Sequence, residues 1–463
     1  MEIRSFYNVS PIFIQNLMLN GYALILYFER YGRKFQLKLA EMREIQWFSI
    51  YEIEKHQNEK LRELIKYAYE NVPYYNRLMR DLKLHPSDFK TKSDLIKLPV
   101  LDKENIRRHF HDLITRDRKF RWFRYGHTSG TTGSPLEIIW DIRTCVVHHA
   151  AYWRQKEWAG IKYGDKIAFI QGQPVVPLSQ TKPPFWRLDR IHNHLYLSSF
   201  HLKLENLPYY FRELEKFKPK VIEGYPSTVY ILARYLIENG LLFPLKAVFT
   251  SSEPLLPIQR ETIEKAFCCK VFDFYGMAER VVFATECEHH NGLHLNLDYS
   301  IVEITDEDGY PVPSGRTGRI VATSLHNYAM PLIRYKTSDI TSARKEGCPC
   351  GRGFPLIDSV TTKDEDIIVT PDGRFISPSI LTHPFKPIHN ILESQIIQED
   401  MKTIVVKIVK RPHYTEKDTQ RLISGLKERL GAEVEVNIEF VDQIPRTSSG
   451  KFRWVVSKVP LKL

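Results

Sequence analysis

KVIEGYPSTVYILARYLIENGLLFPLKAVFTSSEP, residues 220–254, decides the fold. It opens on a short apolar run, KVIEGYP, passes into the longer TVYILARYLIENG, and returns to a second short run in LKAVFTSSEP. Short apolar runs bounded by Gly, Pro and Ser read as strands, and the long run between them reads as a helix. Strand, helix, strand is one step of a layered α/β unit, whose ligand loops leave the carboxyl ends of the strands.

The same alternation extends from about residue 123 to 360, with KIAFIQG (166–172) as another strand and IQRETIEKAF (258–267) as another helix. Upstream, residues 40–120 read as helices with polar loops. LRELIKYAYENV (61–72) sets Leu61, Leu64, Ile65 and Ala68 on one helical face. Past residue 366 the pattern changes to the strands NILESQII (390–397) and KTIVVKIV (402–409), a helix over 416–430 and the strand EVEVNIEFV (433–441). That helix carries Leu422, Ile423, Leu426 and Leu430 on one stripe. The expected architecture is α/β: a large multilayer N-terminal domain over 1–363, with a helical cap over about 1–122, and a small mobile α+β domain over 364–463. The joint falls at 363–366, where charges cluster and few apolar residues knit the halves together.

A chain of 463 residues supports two or three such cores. Its 43% hydrophobic and 26% charged residues exclude disorder. The formal net charge of +11 suits anionic ligands such as nucleotides. The basic residues are dispersed and accompany no RNA- or DNA-binding motif, so nucleic acid is not an expected partner. The longest apolar stretch, PIFIQNLMLNGYALILYF (11–28), is interrupted by Gln15, Asn16, Asn20 and Gly21, which excludes a clean membrane span. Glu2 and Arg4 precede no apolar region with a cleavage site, as a signal peptide would need. Arg30, Arg33 and Lys34 follow the stretch, so peripheral membrane contact stays open beside a helix packed on the protein's own core. Six cysteines in so long a chain do not make a disulfide scaffold, and a reducing cytoplasm is the expected home.

HTSGTTGSP (127–135) offers closely approached backbone N–H groups and four hydroxyls, the chemistry that grips phosphate oxygens. No Gly-Lys-Ser/Thr follows, so it is not a Walker loop. Three further motifs follow in order: FYGMAER (274–280), IRYKTSD (333–339) and PRTSSGK (445–451). This series resembles the acyl-adenylate-forming superfamily. Within it, NVPYYNR, SSEPL, CPCGRG and IVTPDGRFISP resemble the phenylacetate-CoA ligase family, on its branch near capsular-polysaccharide proteins of the CapK type.

The resemblance implies ATP, Mg²⁺ and a carboxylic acid as ligands, and residue roles with them. It sets Ser129, Gly130, Thr131, Thr132 and Gly133 around the ATP phosphates, and Ser252, Glu253 and Pro254 in the adenine pocket with Tyr275 against the base. Glu279 is expected to hold Mg²⁺ and Asp339 to accept the ribose hydroxyls. Lys451 is the expected catalytic cation: carboxylate and α-phosphate are both anionic, and a cation bridges them in the transition state. The acyl pocket is expected near Tyr225, Pro226 and Ala247. Three departures stand out. Leu136 follows the first motif's Pro where Lys is frequent, and Lys336 and Ser338 replace a frequent Arg and Gly. Thr362, Lys363, Asp364, Glu365 and Asp366 fill a hinge that usually reads Gly-Arg-x-Asp-Asp.

Cys287, His294, Cys348 and Cys350 supply three thiols and an imidazole, a complete shell for structural Zn²⁺. His289 and His290 compete for the imidazole position, and free buried thiols are the plain alternative. Cys145, Cys268 and Cys269 read as core. The expected activity is adenylation with release of pyrophosphate, then acyl transfer, to CoA as the family implies or to an amine or hydroxyl in polysaccharide assembly. An inactive scaffold and a membrane-surface assembly factor are the alternatives from other classes.

Overall fold

The computed structural model describes residues 3–119, 123–127, 136–360, 367–376, 378–388, 390–444 and 453–459. The chain opens with helices α1 (Ile3–Val9), α2 (Ile12–Arg30), α3 (Arg33–Ile45), α4 (Ile50–Asn71) and α5 (Pro73–Asp81). Ser49 and Glu52 close a capping box at the start of α4, and Leu61, Leu64, Ile65 and Ala68 form its buried stripe together with Ile53 and Gln57. Gln57 is polar and buried, and its amide donates to Leu297 O and Ser300 O, both at 2.9 Å. These bonds satisfy the amide and tie the cap to the layer beneath.

The hairpin β1 (Arg124–His127) and β2 (Glu137–Trp140) pairs His127 with Glu137. Beyond it lie β3 (Ile167–Ile170), β4 (Trp186–Asp189), β5 (His194–Leu197), β6 (Val221–Gly224), β7 (Ala247–Ser251), β8 (Lys270–Gly276), β9 (Phe283–Thr285) and β10 (Leu293–Leu295). A three-stranded sheet follows, β11 (Ser300–Thr305), β12 (Thr317–Ser324) and β13 (Tyr335–Ser342), and then β14 (Leu356–Ile357). The central sheet has nine strands in the order β14-β10-β9-β8-β7-β6-β3-β5-β4. Strands β5, β3, β6, β7 and β8 run parallel, flanked by antiparallel edges. The opening stretch becomes β6, the helix Pro226–Glu238 and β7. Both strands are buried throughout, as strands covered on both faces must be.

The C-terminal part is a separate α+β domain. The short hairpin β15 (Ile368–Val369) and β16 (Phe375–Ile376) precedes a four-stranded sheet, β17 (Ile391–Gln398), β18 (Thr403–Lys410), β19 (Glu435–Phe440) and β20 (Val455–Ser457), in the order β19-β18-β17-β20. The helix Glu416–Leu430 buries Leu422, Leu426 and Leu430. Trp454 is fully buried, and its indole N–H donates to Ser394 Oγ at 3.1 Å, which fixes the start of β20. Arg374 donates to Phe200 O and Arg429 O, and Arg411 pairs with Glu104 at 2.5 Å, so polar contacts join this domain to the larger one. The joint at 362–366 lies outside the described residues.

Two expectations need correction. Cys268, read as core, is exposed: the helix Pro257–Phe267 ends just before it, and its φ of +50° turns the side chain to solvent. In the segment near Ala247, that residue begins β7 and is buried in the sheet at the end opposite the ligand loops, so only the far end of the segment, from Ser252, reaches them.

Candidate active site

The carboxyl ends of the parallel strands open into a cavity of about 1180 Å³. The loops after β3, β6 and β7 contribute Gln171, Tyr225 and Ser252–Pro254, and the end of β8 contributes Tyr275 and, just beyond it, Glu279. Asp339 enters from β13, and Thr382, His383 and Lys386 face the cavity from the C-terminal domain. Residues of SSEPL, FYGMAER and IRYKTSD, far apart in the sequence, therefore share one space.

Its polar groups are positioned in pairs. The Tyr275 hydroxyl donates to Asp339 Oδ2 at 2.6 Å, and the Tyr335 hydroxyl donates to Glu279 Oε1 at 2.6 Å. Burial, reinforced by these carboxylates, pushes both phenols well above the ordinary tyrosine value. Each stays a donor across the physiological range, so one oxygen of each carboxylate is held in place. Glu253 accepts from the Ser227 backbone N–H at 3.2 Å, which links the loops after β6 and β7. Ser252 has φ +71°, a left-handed conformation that costs a non-glycine residue on the order of 1–3 kcal/mol. Deeper in the wall, burial first and the neighbouring Glu286 second push the Asp273 carboxyl up to about 8.

Tyr225 approaches Gly172 so closely that a Cβ there would meet its hydroxyl at 2.8 Å. A larger residue at Gly172 would therefore displace the Tyr225 hydroxyl where the loops after β3 and β6 converge. On the opposite wall Lys386 Nζ lies 3.4 Å from His383 Nδ1, and burial pulls the Lys386 ammonium below its usual range. Leu136, where a lysine is frequent, is buried in the core, so this position serves packing. Ser129, Gly130, Thr131, Thr132, Gly133 and Lys451 lie outside the described residues.

Residues that the motifs did not single out are Tyr335, which fixes Glu279, and the His383–Lys386 pair. Tyr335 stood inside IRYKTSD, where a tyrosine beside charged neighbours gives little signal of its own. His383 and Lys386 lie in no motif, and only the fold brings them to the cavity.

A second cluster lies at the β9–β10–β14 edge. Ligand atoms of Cys287, His294, Cys348 and Cys350 all fall within 4.8 Å of one another. Cys287 Sγ is 3.6 Å from Cys348 Sγ, and Cys350 Sγ is 3.4 Å from His294 Nε2. Tetrahedral Zn–S and Zn–N bonds imply separations of about 3.8 and about 3.6 Å, so the donor set fits that ion. His294 Nδ1 lies 2.9 Å from Phe354 O, an orienting bond of the kind metal-binding imidazoles make. His289 is exposed, and His290 turns to Glu286 and the Phe272 ring.

Comparison with known proteins agrees with this arrangement. The AMP-binding enzyme family matches residues 125–328, and the CapK C-terminal domain family matches 368–458. Protein CapK of Staphylococcus aureus is 27% identical over 468 residues, covering 98% of this chain and 99% of that protein. A phenylacetate-coenzyme A ligase of Thermus thermophilus is 23% identical over 454 residues, covering 86% and 95%. Among solved structures, 2-hydroxyisobutyryl-CoA ligase in the thioesterification state superposes with a TM-score of 0.59 at 21% identity, over 90% of this chain and 92% of that one. The chain is an adenylate-forming, CoA-ligase-like enzyme that joins an AMP-binding enzyme domain to a CapK C-terminal domain, and along most of its length it is similar to Protein CapK and to phenylacetate-coenzyme A ligases.

Proposed function

We propose that this enzyme activates a carboxylic acid with ATP and then transfers the acyl group to CoA. The observation that carries the reading is the convergence of Ser252–Pro254, Tyr275, Glu279 and Asp339 on one cavity at the strand ends. A carboxylate oxygen attacks the α-phosphorus, the bond to pyrophosphate breaks, and the acyl-adenylate remains bound. Asp339, aimed by Tyr275, accepts the ribose hydroxyls, and the loop after β7 receives the adenine. The hydroxyls and backbone of residues 129–133 take the phosphate oxygens. Glu279, a buried carboxylate lining the cavity, suits Mg²⁺, which supplies charge neutralisation at the phosphates. Lys451 bridges attacking and leaving anions, and its place in a Ser-Gly loop lets it withdraw before the thiol of CoA displaces AMP.

We assign Zn²⁺ to Cys287, His294, Cys348 and Cys350 in a structural role, since four protein donors leave no position for substrate. All six cysteines are free, which suits a reducing cytoplasm.

The test is acid-dependent pyrophosphate release from ATP and Mg²⁺ over aryl, fatty, hydroxy and amino acids, followed by mass detection of the thioester. The expected result is release with one class of acid and a thioester on adding CoA. Release without thioester gives the second step to an amine or hydroxyl acceptor. No release with any acid would overturn the reading.

A further inference from the structure

Helix α2 packs one face on the protein and shows an apolar face to solvent. Its inner face buries Gln15 and Ala23 against β4, where Arg187 Nε donates to Gln15 Oε1 at 2.8 Å and Asn20 Nδ2 donates to Leu188 O at 2.9 Å. Its outer face presents Phe13, Leu17, Leu24 and Phe28, which are 71%, 71%, 44% and 72% exposed. At about 100° per residue these four fall within about 60° of arc, a single stripe about 22 Å long. Gly21 and Ile25, both exposed, lie beside the stripe, and Phe6 and Val9 of α1, also exposed, precede it. A helix that packs one face and shows the other to water carries charges on the outer face. The charged residues of α2 are Glu29 and Arg30, both in its last turn. An uninterrupted apolar stripe of this length marks a face that is covered in use.

The surrounding charges say by what. Glu29 is paired with Arg124, which neutralises the acidic group at the rim. Arg33 and Lys34, at the start of α3, are exposed just past the stripe. Arg190 is exposed alongside it, because its backbone N–H donates to Asn20 Oδ1 at 2.8 Å and holds that turn against the middle of α2. Ile191 next to it is 40% exposed. Apolar and aromatic side chains flanked by cations, with the acid silenced, match the boundary between anionic headgroups and acyl chains. Among the described residues no helix is long and apolar enough to cross a membrane, so the fitting mode is to lie on the surface.

We propose that the α1–α2 face docks this enzyme on an anionic membrane surface, with Phe13, Leu17, Leu24 and Phe28 entering the headgroup boundary and Arg33, Lys34 and Arg190 meeting lipid phosphates. The proposal depends on none of the catalytic assignments.

Flotation of the full chain with phosphatidylcholine vesicles, with and without phosphatidylglycerol, tests it. Binding is expected on the anionic vesicles and weakens with added salt. The exposed pair Phe13→Ser with Phe28→Ser is expected to cut partitioning by about a hundredfold, roughly tenfold per side chain. Arg33→Glu with Lys34→Glu is expected to cut it by about thirtyfold or more. Unchanged melting temperatures would establish that both variants fold. Equal binding to neutral and anionic vesicles, or unaltered binding by the Phe13/Phe28 variant, would overturn the proposal. So would a dimer in size-exclusion chromatography that this variant breaks, accompanied by no vesicle binding, because a second copy would then cover the face.

Discussion

One sheet carries both a closed constellation and an open one. At the β9–β10–β14 edge the donor atoms of Cys287, His294, Cys348 and Cys350 face one another within 4.8 Å. At the carboxyl ends of the parallel strands, Glu279 and Asp339 are each held by one tyrosine hydroxyl at 2.6 Å and border a cavity of about 1180 Å³. The closed set spends its valences on itself, which ties β9 and β10 to the segment before β14. The open set borders a cavity with room for a ligand, and a tyrosine hydroxyl fixes one oxygen of each carboxylate. Mutual satisfaction stabilises a fold; carboxylates held rigidly by a fixed donor at the edge of a cavity prepare a site.

That contrast breaks most visibly at Lys451. Lys451→Ala is expected to lower acid-dependent pyrophosphate release by about a hundredfold or more, because the lost charge acts chiefly in the transition state. ATP affinity and melting temperature should hardly move. Adenylation near the wild-type rate would take the catalytic role from this residue. The closed site should behave in the opposite manner. Cys350→Ser, or chelation, is expected to remove about one equivalent of Zn²⁺ and lower the melting temperature by several degrees, because metal affinity is linked to folding of the segment it ties. Adenylation measured well below the new melting point should remain. A zinc-free wild-type protein in elemental analysis would end that assignment, and full loss of adenylation with the fold intact would erase the distinction between the two sites.

The alternation of strand and helix was legible in residues 220–254, since parallel strands covered on both faces are mostly apolar; Val221–Gly224 and Ala247–Ser251 are buried at every position, Glu223, Thr250 and Ser251 being their polar members. The helix Glu416–Leu430 was legible to its bounds, because Thr415 caps it and Gly431 follows it. The hairpin Ile368–Val369 and Phe375–Ile376 was missed: two-residue strands carry no period. In the site, chemistry-bearing side chains within motifs could be named from the sequence, but their fixing partners could not. Tyr335 and Tyr275 matter through hydroxyls whose acceptors lie 56 and 64 residues away. His383 and Lys386 face the cavity because one domain packs against another, a relation no local pattern encodes.

Acid should weaken the larger domain through imidazoles that neither site uses. His326 is buried, its Nδ1 lies 3.0 Å from Tyr299 O, and its Nε2 has no partner among the described residues. A second proton there would be a buried, unsolvated charge, and burial pulls the group from 6.5 down to about 3. The folded value is depressed, so the unfolded chain binds the proton more readily throughout that window. Stability is therefore full above about pH 6.5 and is lost as pH falls toward 3. His148 and His149, partly buried, shift in the same direction. Between pH 7 and pH 5 one such group costs on the order of 2 kcal/mol. Thermal midpoints at the two pH values check it, with a smaller drop expected in His326→Asn. An equal drop in that variant would remove His326 as a contributor.

The smallest effect should come from Tyr335→Phe, which keeps the ring in its buried place and deletes only the hydroxyl that fixes Glu279. One hydrogen bond to a charged group is worth about 1.5–3 kcal/mol, and here most of that value is orientation of the carboxylate. If Glu279 holds Mg²⁺, the freed carboxylate should raise the Mg²⁺ concentration needed for half-maximal adenylation by about three- to tenfold, a loss of about 1 kcal/mol in effective binding. The rate at saturating Mg²⁺ should stay near wild type, and the melting temperature should fall by no more than a few degrees. Glu279→Gln should raise the same requirement further and also lower the saturating rate. A Tyr335→Phe enzyme with unchanged Mg²⁺ dependence but a lower melting temperature would make the 2.6 Å bond a packing contact, and the open site would then owe its metal position to some other carboxylate.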